Sequence, residues 1–94
     1  MIYKFKSKAT GDLIMLEADA KRLLKIMGRE AQTKGIFLPE QIQSAIDALE
    51  HAVSLEEQEG LQDPKAVSLR QRSLPMLKML KTCLDQSVEI VWGV

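Results

Sequence analysis

Strand-like alternation occurs at both ends of this chain and constrains its fold more than any other feature. Residues 2–7 alternate between two faces, residues 13–16 form a short apolar run after the turn residue Gly11, and residues 88–94 alternate again. A two-stranded hairpin is barely stable in water, so the last strand has to join the first two. The sequence therefore predicts a three-stranded antiparallel sheet with strand order 2-1-3.

Three amphipathic helices are predicted between the second strand and the last one. Apolar residues recur at helical spacing in residues 20–27, 42–53 and 69–84, and the middle helix is predicted to span residues 39–58. Asp19 is a suitable N-cap for the first helix, and Gly28 stands where that helix should end. We interpret residues 29–38 as a connection.

The third helix carries two local signals. Ser68 and Gln71 have the spacing of a capping box, which marks a helix start. Pro75 removes the backbone hydrogen bond to Gln71, so we expect either a kink near residues 71–75 or a later start of the helix.

The order β-β-α-α-α-β predicts an α+β fold, with the helices packed on one face of the sheet. The 94 residues suit a single domain over residues 1–94.

Cys83 is the only cysteine, which excludes an internal disulfide, and no apolar run is long enough to span a membrane. We therefore expect a cytoplasmic protein that does not bind membranes.

Charge is segregated along the sequence although the formal net charge is zero. Residues 35–64 contain no Lys or Arg and carry a net charge of −7, whereas residues 1–34 carry +4 and residues 65–94 carry +3. A zero total makes nucleic acid an unlikely partner.

Acidic residues cluster where the second helix should end, at the negative end of its dipole. The cluster consists of Glu56, Glu57 and Glu59. We expect Arg70 and Arg72, which flank the apolar stripe of the third helix, to pair with it.

Few residues could carry chemistry. His51 is the only histidine, so a two-histidine metal site is excluded. It lies opposite the apolar stripe of its helix, one turn after Asp47. Cys83 lies within an apolar stripe, so we interpret it as a core residue. Gly11 lacks the spacing of a phosphate-binding loop. We therefore predict no catalytic residue, no metal and no cofactor.

The outer face of the sheet is the most informative surface. If the aromatic positions of the end strands face the helices, then the alternate positions face outward, namely Ile2, Lys4, Lys6, Glu89 and Val91. Two of the four apolar residues 13–16 must also point outward. A face with several exposed aliphatic residues is typical of a contact surface, and we expect a homodimer that buries it.

Several segments together resemble domain-of-unknown-function family 1840, a family of short bacterial proteins. These segments are Ile2-Tyr3-Lys4-Phe5-Lys6-Ser7-Lys8, Gly11-Asp12-Leu13-Ile14-Met15, Lys34-Gly35-Ile36, Val67-Ser68-Leu69-Arg70-Gln71-Arg72, Pro75 and Val91-Trp92-Gly93-Val94. The resemblance implies a bacterial α+β domain and supplies no activity. It draws attention to a candidate binding surface formed by Lys8, Asp12, Arg70, Arg72 and Trp92.

Two functions remain open at this point. The first is a non-catalytic interaction or regulatory module that binds a second copy or another protein. The alternative is a small-molecule or anion-binding protein, in which Arg70, Arg72 and Lys8, with Lys34, converge on a carboxylate or phosphate. An enzyme is the third and less favoured possibility, because its chemistry would have to come from residues such as Asp12, Lys8 or Arg70.

Overall fold

A four-stranded antiparallel sheet and three helices form the fold of the computed structural model, which describes residues 2–29, 33–59 and 68–93. The elements are β1 (Ile2–Lys6), β2 (Leu13–Leu16), α1 (Glu17–Ile26), β3 (Gly35–Phe37), α2 (Pro39–Glu59), α3 (Leu69–Gln86) and β4 (Ile90–Trp92). The strand order is β2-β1-β4-β3, and all neighbouring strands are antiparallel. The predicted α+β fold with three helices and an antiparallel sheet is therefore confirmed.

The prediction of three strands was wrong, because the supposed connection over residues 29–38 contains β3. This strand pairs with β4, placing Ile36 opposite Val91 and Phe37 opposite Ile90. A segment of three residues is too short for alternation to reveal a strand. β3 is a strand only because its backbone pairs with that of β4. The last strand does lie beside the first, as predicted, but the order is 2-1-4-3.

Two glycines allow β3 to approach β4 closely. A Cβ atom on Gly35 would lie 2.5 Å from Cζ2 of Trp92, so only glycine leaves room for the indole ring. Gly93 has a φ of 80°, and a Cβ atom there would overlap Lys34 and the carbonyl oxygen of Thr33. Both glycines belong to the short segments quoted above, and their role is structural.

The core is centred on an aromatic cluster between the sheet and the helices. The ring centroid of Trp92 lies 5.7 Å from that of Phe5 and 5.2 Å from that of Phe37. All three side chains are at most 1% exposed. Leucine, isoleucine and methionine side chains from the three helices complete the core, so the inner face of the sheet is covered.

The ends of α1 only partly follow the prediction. The helix begins at Glu17 with Leu16 as its N-cap and has no side-chain cap, so Asp19 lies within the first turn, where its carboxylate accepts a hydrogen bond from Arg72. Gly28 follows the last turn with a φ of 84°, and the next residue, Arg29, donates its N–H to the carbonyl of Leu24. The predicted end of α1 at Gly28 is thus confirmed, whereas the capping role of Asp19 was wrong.

Both ends of α2 lie within a residue of the prediction, and α3 has the predicted capping box. The side chain of Ser68 accepts a hydrogen bond from the backbone N–H of Gln71, and the side chain of Gln71 accepts one from the backbone N–H of Ser68. The helix then continues through Pro75 to Gln86, so the later start considered above is wrong. Residues 60–67, where the pair Asp63-Pro64 favours a linker, lie outside the described residues.

Candidate functional site

The outer face of the sheet carries large aliphatic side chains that none of the three helices shields. Ile2 is 55% exposed, Ile14 56%, Leu16 65% and Ile36 38%. Tyr3 and Phe5, the alternate positions of β1, are buried on the opposite face. The predicted division of β1 and β4 into inward and outward positions is therefore observed, and Ile14 and Leu16 are the outward pair of β2.

Three of these residues form one patch, which we call the apolar corner. Ile2 lies opposite Leu16 in the ladder between β1 and β2, and Ile14 lies opposite Lys4. Residues two apart on a strand share a face, so Ile2, Ile14 and Leu16 are neighbours on the outer face. The corner lies at the edge of the sheet, because β2 is an edge strand.

The other end of the outer face is charged. A shallow concavity there is lined by Lys6, Lys8, Asp12 and Glu89, together with the small side chain of Ser7. Two cations and two anions share this concavity, so its net charge is close to zero. Val91 also lines it, so the concavity combines charged groups with apolar surface, unlike the apolar corner.

A groove runs between the outer edge of β2 and one side of α3, and we call it the edge groove. The strand forms one wall, and Gln71, Pro75, Lys78 and Met79 from α3 form the other. Pro75 lines both halves of the groove, and its side chain is exposed. The edge groove therefore meets the apolar corner along β2.

The two arginines of the predicted binding surface are engaged in ion pairs. Arg70 donates two hydrogen bonds of 2.7 Å to the carboxylate of Glu57, which is one of the predicted partners. This pairing lowers the pKa of Glu57 and raises the pKa of Arg70. Arg72 instead pairs with Asp19 at 2.6 Å, so its predicted pairing with the acidic cluster was wrong.

The remaining residues of that predicted surface are scattered. Trp92 is fully buried, so it belongs to the core rather than to a surface. Lys8 and Asp12 are exposed at the charged end of the sheet. Arg72 lies near Leu16, at the opposite end of β2. The five residues therefore do not form one site, and the convergence of Lys8 with the arginines is not observed.

Ion pairs also join α2 to the other two helices. Glu56 pairs with Arg22 of α1 at 3.9 Å, and Glu50 pairs with Lys81 of α3 at 3.4 Å. With the pair between Arg70 and Glu57, these contacts place cations beside an acidic helix. The segregated charge of the sequence is thus partly balanced between neighbouring helices.

The residues considered for chemistry have ordinary surroundings. His51 is exposed on α2, whereas Cys83 is fully buried, and its sulfur lies 3.0 Å from Oγ of Ser7. Within the described residues, no cluster of three or more potential metal ligands is found. In the same part of the chain, no helix is long and apolar enough to cross a bilayer.

Sequence reasoning missed the edge groove, although one signal for it was present. Pro75 interrupts an otherwise regular helical pattern. A proline inside a helix destabilises that helix, so its presence suggests a contact with another part of the molecule. Periodicity could not show that this proline lies beside the edge of β2, because that contact joins residues about sixty positions apart.

Comparison with known proteins identifies a family but no characterised relative. No curated protein and no solved structure is significantly similar to the chain. The family model described as Domain of unknown function (DUF1840) matches residues 1–92. The match covers nearly all of the 94 residues, so the chain belongs to this family.

Proposed function

We propose that this protein is a non-catalytic interaction module whose contact surface is the outer face of its sheet. The partner that we favour is a second copy of the chain. The observation that carries the proposal is the exposure of four large aliphatic side chains, Ile2, Ile14, Leu16 and Ile36, on one side of a sheet whose other side is fully covered. Three of the four form the contiguous apolar corner, and contiguous apolar surface commonly marks a site of protein association.

The energetic gain from covering these side chains is moderate. Full burial of one aliphatic side chain stabilises by about 1.5–3 kcal/mol, and these four are roughly half exposed, so each can contribute about 1 kcal/mol. Two copies would contribute twice as many side chains, but association itself has a cost of several kcal/mol, on the order of 4–15. With the lowest association cost the net gain is about 4 kcal/mol, so we expect a weak, reversible dimer with a dissociation constant of about 1 mM.

A cytoplasmic role in bacteria is part of the proposal. The resemblance noted in the sequence implies bacterial proteins, and the single cysteine, Cys83, is buried and free rather than committed to a disulfide. A reducing compartment suits such a thiol.

Sedimentation equilibrium tests the proposal directly. The wild-type protein is expected to dimerise, and Ile14→Ser, which removes an exposed aliphatic group from the outer face, should weaken the dimer several-fold. Leu55→Ser is the matched control, because Leu55 is 41% exposed but lies on α2 rather than on the sheet. A protein that remains monomeric at about 1 mM, where association would be worth no more than about 4 kcal/mol, would rule out the homodimer.

A further inference from the structure

We infer that the second copy joins along the free edge of β2, so that two four-stranded sheets become one eight-stranded antiparallel sheet. This inference rests on the proposed function and narrows it: the apolar corner of the outer face forms the contact, and Ile36, on the opposite edge of the sheet, lies outside it. Face-to-face stacking of the two sheets is the competing arrangement.

The edge of β2 lacks the features that keep sheet edges from pairing. Within the described residues, β2 pairs only with β1, so alternate residues of β2 direct their N–H and C=O groups away from the sheet. Its four residues contain no charge, no proline and no glycine. The other edge strand, β3, has only three residues, with Lys34 directly before it and Pro39 shortly after it. Of the two edges, β2 is the one suited to accept a further strand.

The sequence of β2 is complementary to itself in antiparallel pairing. With Met15 opposite Met15 of the second copy, Ile14 lies opposite Leu16 of that copy, and the reverse pair forms by symmetry. Both pairs lie on the outer face, where aliphatic cross-strand pairs favour association. The apolar corners of the two copies then lie side by side at the centre of the combined sheet, so that their side chains partly bury one another.

The distribution of charged residues favours edge pairing of the β2 strands over face-to-face stacking of the two sheets. Face-to-face stacking would bury the exposed Lys4 and the partly exposed Lys6 of each copy, and burying charged side chains disfavours association. In edge pairing the strands themselves bring together only uncharged residues, because residues 13–16 carry no charge, while Asp19, Arg72 and Lys78 line the adjoining groove.

The position of Pro75 agrees with this arrangement. Pro75 lies beside β2, because together with Leu13 it lines both halves of the edge groove. As an exposed residue it contributes little to the core, and its missing N–H leaves the carbonyl of Gln71 without its usual helical donor. A two-fold axis through the middle of β2 brings the Pro75 turns of the two α3 helices towards one another, so the apparent defect in α3 falls at the interface.

A distance measurement between spin labels distinguishes the two arrangements. Ile36→Cys places a label on β3, which edge pairing puts at the two far ends of the combined sheet. Seven strand spacings of about 4.8 Å then separate the labels, or about 34 Å, whereas stacked sheets about 10 Å apart keep them within roughly 20 Å. Wild-type protein treated with the same label is the control, because Cys83 is fully buried and should not react.

Paired substitutions give a second readout that does not depend on the label. The double variant Ile14→Lys with Leu16→Lys places like charges opposite one another across the β2 edge, and we expect it to weaken the dimer at least tenfold. Ile36→Lys makes the same chemical change on the same face but on β3, and it should leave the dimer unchanged. Circular dichroism confirms that each variant is folded before its mass is measured.

The outcomes separate this inference from the proposed function. A long label distance and selective loss of the dimer in the β2 variant support edge pairing. A dimer with a short label distance, or one weakened equally by Ile36→Lys, overturns edge pairing but leaves the outer face as the contact surface. A wild-type protein that stays monomeric overturns both.

Discussion

Replacing Gly35 with alanine tests the close approach of β3 to β4. The added Cβ atom would lie 2.5 Å from Cζ2 of Trp92, 2.9 Å from Cη2 and 3.0 Å from Cε2. Carbon atoms in contact prefer a separation of about 3.5–4.0 Å, so the indole ring would have to move by about 1 Å. Trp92 is fully buried between Phe5 and Phe37, and a packed interior resists such a shift.

The expected loss follows from two opposing effects. Overpacking of a core costs about 1–3 kcal/mol. The smaller conformational entropy of alanine in the unfolded chain offsets about 0.4–1 kcal/mol of it. We therefore expect Gly35→Ala to lower the free energy of unfolding by about 1–2 kcal/mol, equivalent to a fall in melting temperature of about 4–16 °C for a domain of this size.

Urea denaturation followed by circular dichroism measures this loss, and the chain offers its own control. A Cβ atom on Gly11 would meet nothing within 4 Å, so Gly11→Ala should be neutral or stabilising by up to about 1 kcal/mol. Trp92→Phe removes part of the ring that the new methyl group would meet. In that background the cost of Gly35→Ala should fall by about 1 kcal/mol, since contacting residues couple in a double-mutant cycle.

Two results would refute the reasoning. One is a Gly35→Ala variant as stable as Gly11→Ala. The other is an equal loss from Gly35→Ala with tryptophan and with phenylalanine at position 92, because the penalty would then have no connection with the indole ring.

Three further predictions concern the helices. Ser68→Ala removes the capping box of α3 and should lower stability by about 1 kcal/mol, whereas Ser54→Ala, at an exposed position of α2, should change the melting temperature little. Pro75→Ala restores a helical donor to α3 and should stabilise the monomer by about 1–3 kcal/mol; a loss of stability in urea denaturation would contradict the cost assigned to this proline. Arg70 lowers the pKa of Glu57 below its ordinary value of 4.5, so the stability from this pair is present above that pH and is lost as pH falls through the lower pKa of the folded state. In Arg70→Ala, carboxyl titration by NMR should return the pKa of Glu57 towards 4.5, and an unchanged pKa would show that the ion pair is not formed in solution.

Local patterns were enough to locate most helices and strands. The 21 residues of α2 coincide with the predicted span to within one residue, because its apolar stripe is long and Pro39 marks its first turn. The capping box at Ser68 and the αL glycine at Gly28 were also readable, since each acts within one helical turn. Asp19 misled the prediction of the start of α1, because the helix begins two residues earlier, at Glu17, and Asp19 lies within its first turn.

The candidate surface was only partly accessible to the same reasoning. Alternation in β1 indicated that Ile2 would face outward, and the fully apolar β2 required two outward residues, which are Ile14 and Leu16. Which cation pairs with which anion was not readable, because long side chains choose partners by proximity in space. Arg70 reached the expected acidic cluster, whereas Arg72 did not.

The sequence by itself determined the α+β class, the three helices and a sheet with one apolar inner face, because these depend on periodicities within single segments. Only the tertiary structure decided that three residues around Ile36 form a fourth strand, that Gly35 must make room for Trp92, and that Pro75 lies beside the free edge of β2. Each of these facts depends on contacts between residues far apart in the chain, and no local pattern encodes which distant backbone a short segment will meet.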